Sequence, residues 1–203
     1  MEDVSKVDQR EHHAVTSRIL IEDFQLVSRS GIAAAARLGV DVDPYARAEK
    51  GSTYEVWCDG IRGVRWSYHQ RTVGFSAEYP IVASPSPDRQ FVTLVCLGSN
   101  QYPPPDNALI LNADGSVRCQ VRQPMRYAGR RTEFLDAWWY YRDLPAPSPP
   151  WWAFWRKTPD PQREIRMKML IGGEIGLPNR DFVALDFNPE TGEFGEIVDS
   201  GRF

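Results

Sequence analysis

The chain has 203 residues, of which 42% are hydrophobic and 25% charged, and it contains seven tryptophans. This composition excludes a disordered protein and predicts a globular domain that buries a well-filled core. The formal net charge of −3 does not favour a nucleic-acid backbone as the partner. We therefore expect no direct binding of nucleic acid.

Residues 1–16 are polar and lack a hydrophobic period, which predicts a mobile N-terminal tail. They lack the basic start and apolar stretch of a signal peptide, and no apolar run approaches the roughly 18 residues that a membrane span requires. Cys58, Cys96 and Cys119 lie in apolar, strand-like runs and cannot all pair within the chain. These features predict a cytoplasmic protein with buried free thiols and no membrane partner.

From Ser17 to Leu38, apolar residues recur every three or four positions, which predicts an N-terminal helix that packs one face on the remaining structure. Gly39 would end this helix, and the run Ala33–Ala36 favours it because alanine has the highest helix propensity. Ser28–Gly31 is a weak place in the pattern. A strand over Arg18–Val27 followed by a shorter helix is the alternative.

The rest of the sequence alternates short apolar runs with Gly, Pro and Asp turns, which is typical of antiparallel hairpins. An Asp-Gly pair between alternating apolar residues is the strongest short-range hairpin signal. The predicted elements are a hairpin around Asp59-Gly60 with Tyr54, Val56 and Cys58 on one face and Val64 and Trp66 on the returning strand, strands at Thr72–Tyr79, Ile81–Ala83 and Phe91–Leu97, a hairpin turning at Asp114-Gly115, a strand at Arg163–Leu170, and a hairpin turning through Asn188–Gly192. Arg130–Tyr141 fits either a short amphipathic helix or a buried strand.

These elements predict a mainly β (α+β) fold. We expect an antiparallel sheet of several hairpins with the N-terminal helix packed on it, in a single domain over residues 17–203. A proline- and tryptophan-rich insertion interrupts the domain at residues 145–161.

The insertion is the strongest candidate site in the sequence. Between Leu144 and Gln162 the chain carries six prolines and four aromatic residues, Trp151, Trp152, Phe154 and Trp155. Rigid aromatic side chains of this kind are typical of binding hot spots. The alternative is that the same rings fold back and cover a sheet edge or the helix.

Catalytic and metal signals are weak by comparison. His69 with Cys58 or Asp59 is a conceivable nucleophilic pair, but a polar histidine at a strand end beside a core cysteine explains the same residues. His12-His13 has no further ligand at matching spacing. We assign no catalytic residue, no metal site and no cofactor.

Two resemblances can be stated on these residues. The run ASPSPDRQFVTLV followed by NALILNADGSVRCQV resembles a β-propeller blade over Ile81–Val121. Along most of its length the chain resembles the cytosolic immunity proteins of bacterial polymorphic toxin systems, as a compact, acidic, sheet-rich chain with an N-terminal helix, no signal peptide and no catalytic constellation.

The second resemblance implies a non-enzymatic protein that binds a cognate toxin domain and blocks its active site. Acidic turn residues would then occupy a basic groove while the aromatic residues of the insertion anchor the contact. The acidic candidates are Asp41, Asp43, Asp59, Asp181, Glu190 and Glu193. The alternative functions are a small hydrolase or transferase that uses His69 with Cys58 or Asp59, and a scaffold module for protein interactions.

Overall fold

The computed structural model describes residues 20–36, 40, 52–127, 130–144, 162–177 and 180–202. Its elements, in chain order, are β1 (Glu22–Ser28), β2 (Ala33–Ala35), α1 (Ser52–Asp59), β3 (Ile61–Tyr68), β4 (Arg71–Ser76), β5 (Ile81–Pro85), β6 (Phe91–Cys96), β7 (Ala108–Asn112), β8 (Val117–Val121), a 3-10 turn (Met125–Tyr127), β9 (Thr132–Asp143), β10 (Arg163–Gly173), β11 (Phe182–Asn188) and β12 (Glu193–Gly201). The predicted mainly β fold is confirmed. No helix in these ranges is long and apolar enough to cross a membrane.

The strands form three four-stranded antiparallel sheets rather than one. The first sheet has the order β2-β1-β3-β4, the central sheet β5-β6-β7-β8 and the third sheet β12-β11-β10-β9. The central sheet follows chain order over residues 81–121 as a four-stranded antiparallel meander.

The central sheet lies between the other two and is covered on both faces. On β6, Val92, Leu94 and Cys96 join the apolar cluster shared with the first sheet, whereas Phe91 and Val95 join the cluster shared with the third. Every residue of β6 is buried. This explains why five of its six residues are apolar, because a strand covered on both faces has no solvent-facing side.

The predicted N-terminal helix is wrong. Residues 22–28 are β1, in which Phe24, Leu26 and Ser28 alternate as buried positions, and β1 pairs with both β2 and β3. The Ala33–Ala35 segment is the edge strand β2. Helix propensity is a weak prior, and pairing with β3 outweighs it here. The alternative of a strand over Arg18–Val27 is correct in part, because β1 spans Glu22–Ser28, but no helix follows it among residues 28–36.

The predicted strand before Asp59 is also wrong, because Ser52–Asp59 is α1. Only Val56 of its last five residues is buried, whereas Cys58 is exposed rather than part of the core. Gly60 ends the helix with a φ of 82°, a conformation that glycine adopts without steric cost. The returning strand is confirmed as β3, with Val64 and Trp66 in the core.

Candidate binding surface

The third sheet presents two chemically different faces. Ala137 and Trp139 of β9 point inward to the apolar cluster shared with the central sheet. Trp138, Tyr140 and Arg142, which alternate with the inward positions, point outward because successive side chains of a strand alternate between faces. A groove lies between the inward face and one end of the central sheet. A network of charged side chains lies on the outward face.

The groove, hereafter the end groove, has a volume of about 480 Å³ and lies between the third sheet and the β5–β6 turn. Its apolar lining consists of Pro87, Phe91, Trp139, Ile165, Met167, Phe187 and Pro189. Asp88, Glu164, Arg166, Asn188 and Glu190 supply its polar lining. The volume is within the usual range of ligand pockets.

Strand register builds the floor of the end groove. Met167 of β10 is paired with Trp139 of β9 on one side and with Phe187 of β11 on the other. The three side chains form a row across neighbouring strands, and Phe91 of the central sheet lies against it with its ring centroid 5.8 Å from that of Trp139. The buried indole N–H of Trp139 has no hydrogen-bond partner among the described residues.

The β11–β12 turn holds Glu190 at the rim of the end groove. The side-chain Oδ1 of Asn188 accepts a hydrogen bond from the backbone N–H of Glu190 at 2.9 Å. Gly192 closes the turn with a φ of 75°, and its N–H donates to the Asn188 carbonyl at 2.8 Å. The exposed Glu190 side chain is thus carried by a turn whose backbone is fixed by hydrogen bonds.

The rim of the end groove is acidic. Asp88, Glu164 and Glu190 carry negative charge, and Arg166 is the single cation among the described lining residues. The Arg166 charge is already paired, because its Nη2 lies 2.6 Å from Asp186 Oδ2 and its Nη1 lies 3.5 Å from Glu164 Oε1. The groove therefore combines an apolar floor with a net negative edge.

Asp186 is the centre of the network on the outward face. Its side chain is 1% exposed, and it accepts hydrogen bonds from Tyr140 Oη at 2.9 Å, from Arg166 Nε at 3.2 Å and Nη2 at 2.6 Å, and from Arg142 Nη1 at 3.3 Å. Gly195 on β12 leaves room for this carboxylate, since a Cβ there would lie 3.0 Å from Asp186 Oδ2.

The network also sets the protonation of its members. Burial by itself raises the pKa of Asp186, but the hydrogen bonds from Arg166 and Tyr140 and the two guanidinium charges outweigh burial, so the pKa lies below its usual value. Burial, followed by the hydrogen bond to Asp186, raises the pKa of Tyr140.

A cation–π contact adds to the outward face. Lys168 Nζ lies 4.6 Å from the ring centroid of Trp138 and 5.5 Å from that of Tyr140.

Four of the predicted acidic binding residues are described, namely Asp59, Asp181, Glu190 and Glu193, and they lie in three separate places. Asp59 lies beside the first sheet and accepts a hydrogen bond from the Ser30 N–H at 2.7 Å; hydrogen bonds from Ser30 lower its pKa. Asp181 precedes β11 and Glu190 follows it, so about 23 Å of strand separates them. Glu193 begins β12 beside Glu190 but does not line the end groove.

The other partner-binding candidates fall outside the described residues. These are Asp41, Asp43, Trp151, Trp152, Phe154 and Trp155. The insertion that contains the aromatic four is bounded by Leu144 and Gln162, whose backbone atoms pair through a 2.8 Å hydrogen bond from the Leu144 N–H. The predicted tail at residues 1–16 likewise lies outside the described residues.

The suggested Cys58 and His69 pair is not assembled. Cys58 is in α1, before β3, whereas His69 is in the turn after β3, so the eight-residue strand holds them roughly 25 Å apart. Asp59 is separated from His69 in the same way. No three His, Cys, Asp or Glu residues of the described ranges are grouped closely enough to hold a metal ion.

Sequence reasoning missed both the end groove and the Asp186 network. One signal was available: the segment 132–143 alternates inward and outward positions once it is read as a strand, which places Trp138, Tyr140 and Arg142 on one face. The pairing of Arg166 and Asp186 with that face depends on the order of β9, β10 and β11 in the sheet. That order follows from tertiary structure and has no local signature.

No protein-family model and no curated protein matches the sequence. Among solved structures, the fold is similar to that of a chain in the structure of Tne2 in complex with Tni2, with a TM-score of 0.54 and 12% identity. The similarity covers 90% of this chain and 100% of that chain. At this identity the likeness concerns the fold, and no residue role is transferred through it.

Proposed function

We propose that this protein is a non-enzymatic binding protein and, specifically, a cytoplasmic immunity protein that neutralises a cognate bacterial toxin by covering its active site. The observation that carries the proposal is the end groove, an apolar concavity with an acidic rim on a rigid sheet scaffold. Such a surface suits a protein partner whose own functional cleft is basic.

The fold comparison supports the same function. The similar chain comes from a structure of two proteins in complex, Tne2 and Tni2, and nearly the whole of each chain takes part in the similarity. The enzymatic alternative loses its geometric basis because β3 separates Cys58 from His69. A binding role needs no such pair, and the third sheet offers both apolar area and charge for it.

The proposal predicts a one-to-one complex with a toxin domain encoded next to this chain. Co-expression followed by size-exclusion chromatography and light scattering should give that complex, and titration of the toxin with this protein should abolish toxin activity at equimolar amounts. Toxin activity that persists at a large excess of this protein would overturn the proposal.

The end groove can be tested as the contact surface with two matched variants. Ile165 lines the groove and is 44% exposed, whereas Ile197 lies on β12 outside the groove and is 43% exposed. Ile165→Glu should weaken toxin binding about 30-fold or more, the loss expected at a hot spot. Ile197→Glu should leave binding unchanged. Equal effects of both variants would exclude the groove as the contact surface.

A further inference from the structure

We infer that the end groove receives an arginine side chain of the partner protein. Its guanidinium group would lie at the acidic rim and its methylene stem on the apolar floor. This inference rests on the proposed function, since it specifies the part of the partner that enters the groove.

The charges around the groove argue for a cation. Asp88 reaches the rim from the β5–β6 turn, Glu164 from β10 and Glu190 from the β11–β12 turn, so three separate elements bring carboxylates to one opening. The neighbouring cation Arg166 is held by Asp186 through two hydrogen bonds and lies 3.5 Å from Glu164, so it offsets one of the three carboxylates and leaves the rim net negative. An anionic ligand would meet net repulsion at this rim, whereas a cation is attracted.

The floor argues for a planar cation with an apolar stem. Trp139 and Phe91 are the aromatic residues that reach the floor, with 7% and 4% of their surface exposed, whereas Phe187 and Met167 are fully buried. Ile165, 44% exposed, adds apolar surface. Guanidinium groups stack on aromatic rings more readily than the compact, strongly hydrated ammonium of lysine does. The three methylenes of an arginine stem gain by leaving water for an apolar wall. Arginine therefore satisfies both parts of the groove at once.

The volume of the groove is consistent with a single long side chain. About 480 Å³ is space for one or two large side chains and is too little for a folded segment. The partner would thus insert a protruding side chain from the edge of its basic cleft. An arginine held in the groove could no longer contact the toxin's own substrate, so binding would inhibit the toxin directly.

Benzamidine tests this inference without the partner, because it joins an aromatic ring to a planar cation. We expect it to bind the full chain with a Kd on the order of millimolar, the affinity usual for a ligand of this size. In two-dimensional NMR spectra it should shift the indole resonance of Trp139, assigned with Trp139→Phe, and the methyl resonances of Ile165. Neutral benzamide and anionic benzoate should bind at least about fivefold more weakly.

Two glutamates at the β11–β12 connection, Glu190 in the turn and Glu193 at the start of β12, supply the matched variants. Glu190 lines the groove and Glu193 does not, although both side chains are exposed. Glu190→Gln should weaken benzamidine binding by about two- to fivefold, the range of one exposed ion pair, and Glu193→Gln should leave it unchanged. Equal binding of benzamide and benzamidine, or shifts that map away from Trp139 and Ile165, would overturn the inference.

The two proposals fail in different ways. If benzamidine binds as expected but no toxin is neutralised, the groove takes a cation and the immunity function is wrong. If the toxin complex forms and Glu190→Arg leaves its affinity unchanged, the immunity function stands and the cationic occupant is wrong. In the expected case Glu190→Arg weakens the complex by about tenfold or more, because like charges then face each other.

Discussion

The interface between the central and third sheets is built differently at its two ends. At one end Asn107, fully buried, donates from Nδ2 to the carbonyl oxygens of Cys96 at 3.1 Å and Phe134 at 2.9 Å, and its Oδ1 accepts from the Phe134 N–H at 2.8 Å. At the other end Phe91 and Trp139 face the end groove, and the Trp139 indole N–H has no partner among the described residues.

The strands place these ends well apart. Phe91 and Cys96 begin and end β6, so about 16 Å of strand separates the groove from the Asn107 contacts. We call the Asn107 end the closed end, because the Asn107 amide makes three hydrogen bonds to buried backbone groups there. We call the groove end the open end, because it has an apolar floor and no such contact from the Trp139 indole among the described residues. The hydrogen bonds of Asn107 join the two sheets at the closed end, so the groove at the open end exists without a bound partner. A preformed site loses less conformational entropy on binding.

The largest expected effect comes from breaking the closed end. Asn107→Ala removes both hydrogen bonds that join the side chain to Phe134 and leaves buried backbone groups without partners, so we expect it to lower the free energy of unfolding by about 3 kcal/mol. Urea denaturation measures this loss. Asn112, whose amide reaches only the exposed Ser116 hydroxyl at 3.0 Å, is the matched control, and Asn112→Ala should cost less than about 1 kcal/mol. Equal losses would mean that Asn107 does not join the two sheets.

The outward network should respond next. Asp186→Asn removes the negative charge that Arg166 and Arg142 share, and we expect a loss of about 2 kcal/mol because the aspartate is buried while its partners are partly exposed. Glu196, which pairs with Arg142 at 2.6 Å and is 66% exposed, provides the control. Glu196→Gln should change stability by less than about 1 kcal/mol. An equal loss of unfolding free energy in both variants would show that solvent screens the Asp186 pairs as strongly as it screens the exposed Glu196 pair.

The same carboxylate should make stability depend on pH. The pKa of Asp186 is lower in the folded protein than in the unfolded chain, so its ionised form stabilises the fold above the unfolded value of about 3.9. That contribution is lost as the pH falls through the folded pKa. Urea unfolding between pH 7 and pH 2.5 should therefore show a shallower decline in Asp186→Asn than in the unsubstituted protein. Parallel curves would contradict the assigned direction.

The smallest effect comes from a pair of buried tryptophans. The indole N–H of Trp66 donates to the Ala113 carbonyl at 2.6 Å, whereas that of Trp139 has no partner in the described ranges. Both tryptophan-to-phenylalanine variants lose apolar volume, but only Trp66→Phe also leaves a buried carbonyl unpaired. We expect Trp66→Phe to cost about 1 kcal/mol more than Trp139→Phe in thermal unfolding. A larger loss at Trp139 would reveal that its indole is bonded after all, and the open end would then resemble the closed one.

Local patterns correctly predicted two of the three proposed hairpins and missed the layers. Asp114-Gly115 and Asn188–Gly192 form the predicted turns because the glycines adopt φ values of 85° and 75° that the turns require. The sequence left β1 open between helix and strand because residues spaced by three or four also fit a helix, and only pairing with β3 decides between the two. The end groove joins residues from β6, β9, β10 and β11, whose proximity no segment of the sequence encodes by itself.

The complete burial of β6 has a consequence for proteostasis. Phe91–Cys96 reads FVTLVC, a six-residue apolar segment of high β-propensity without charge or proline, which is the composition of segments that form steric zippers. In the folded chain it is paired on both edges and covered on both faces. Truncation of either outer sheet would uncover it, so we expect truncated chains to aggregate rather than to persist as smaller soluble units.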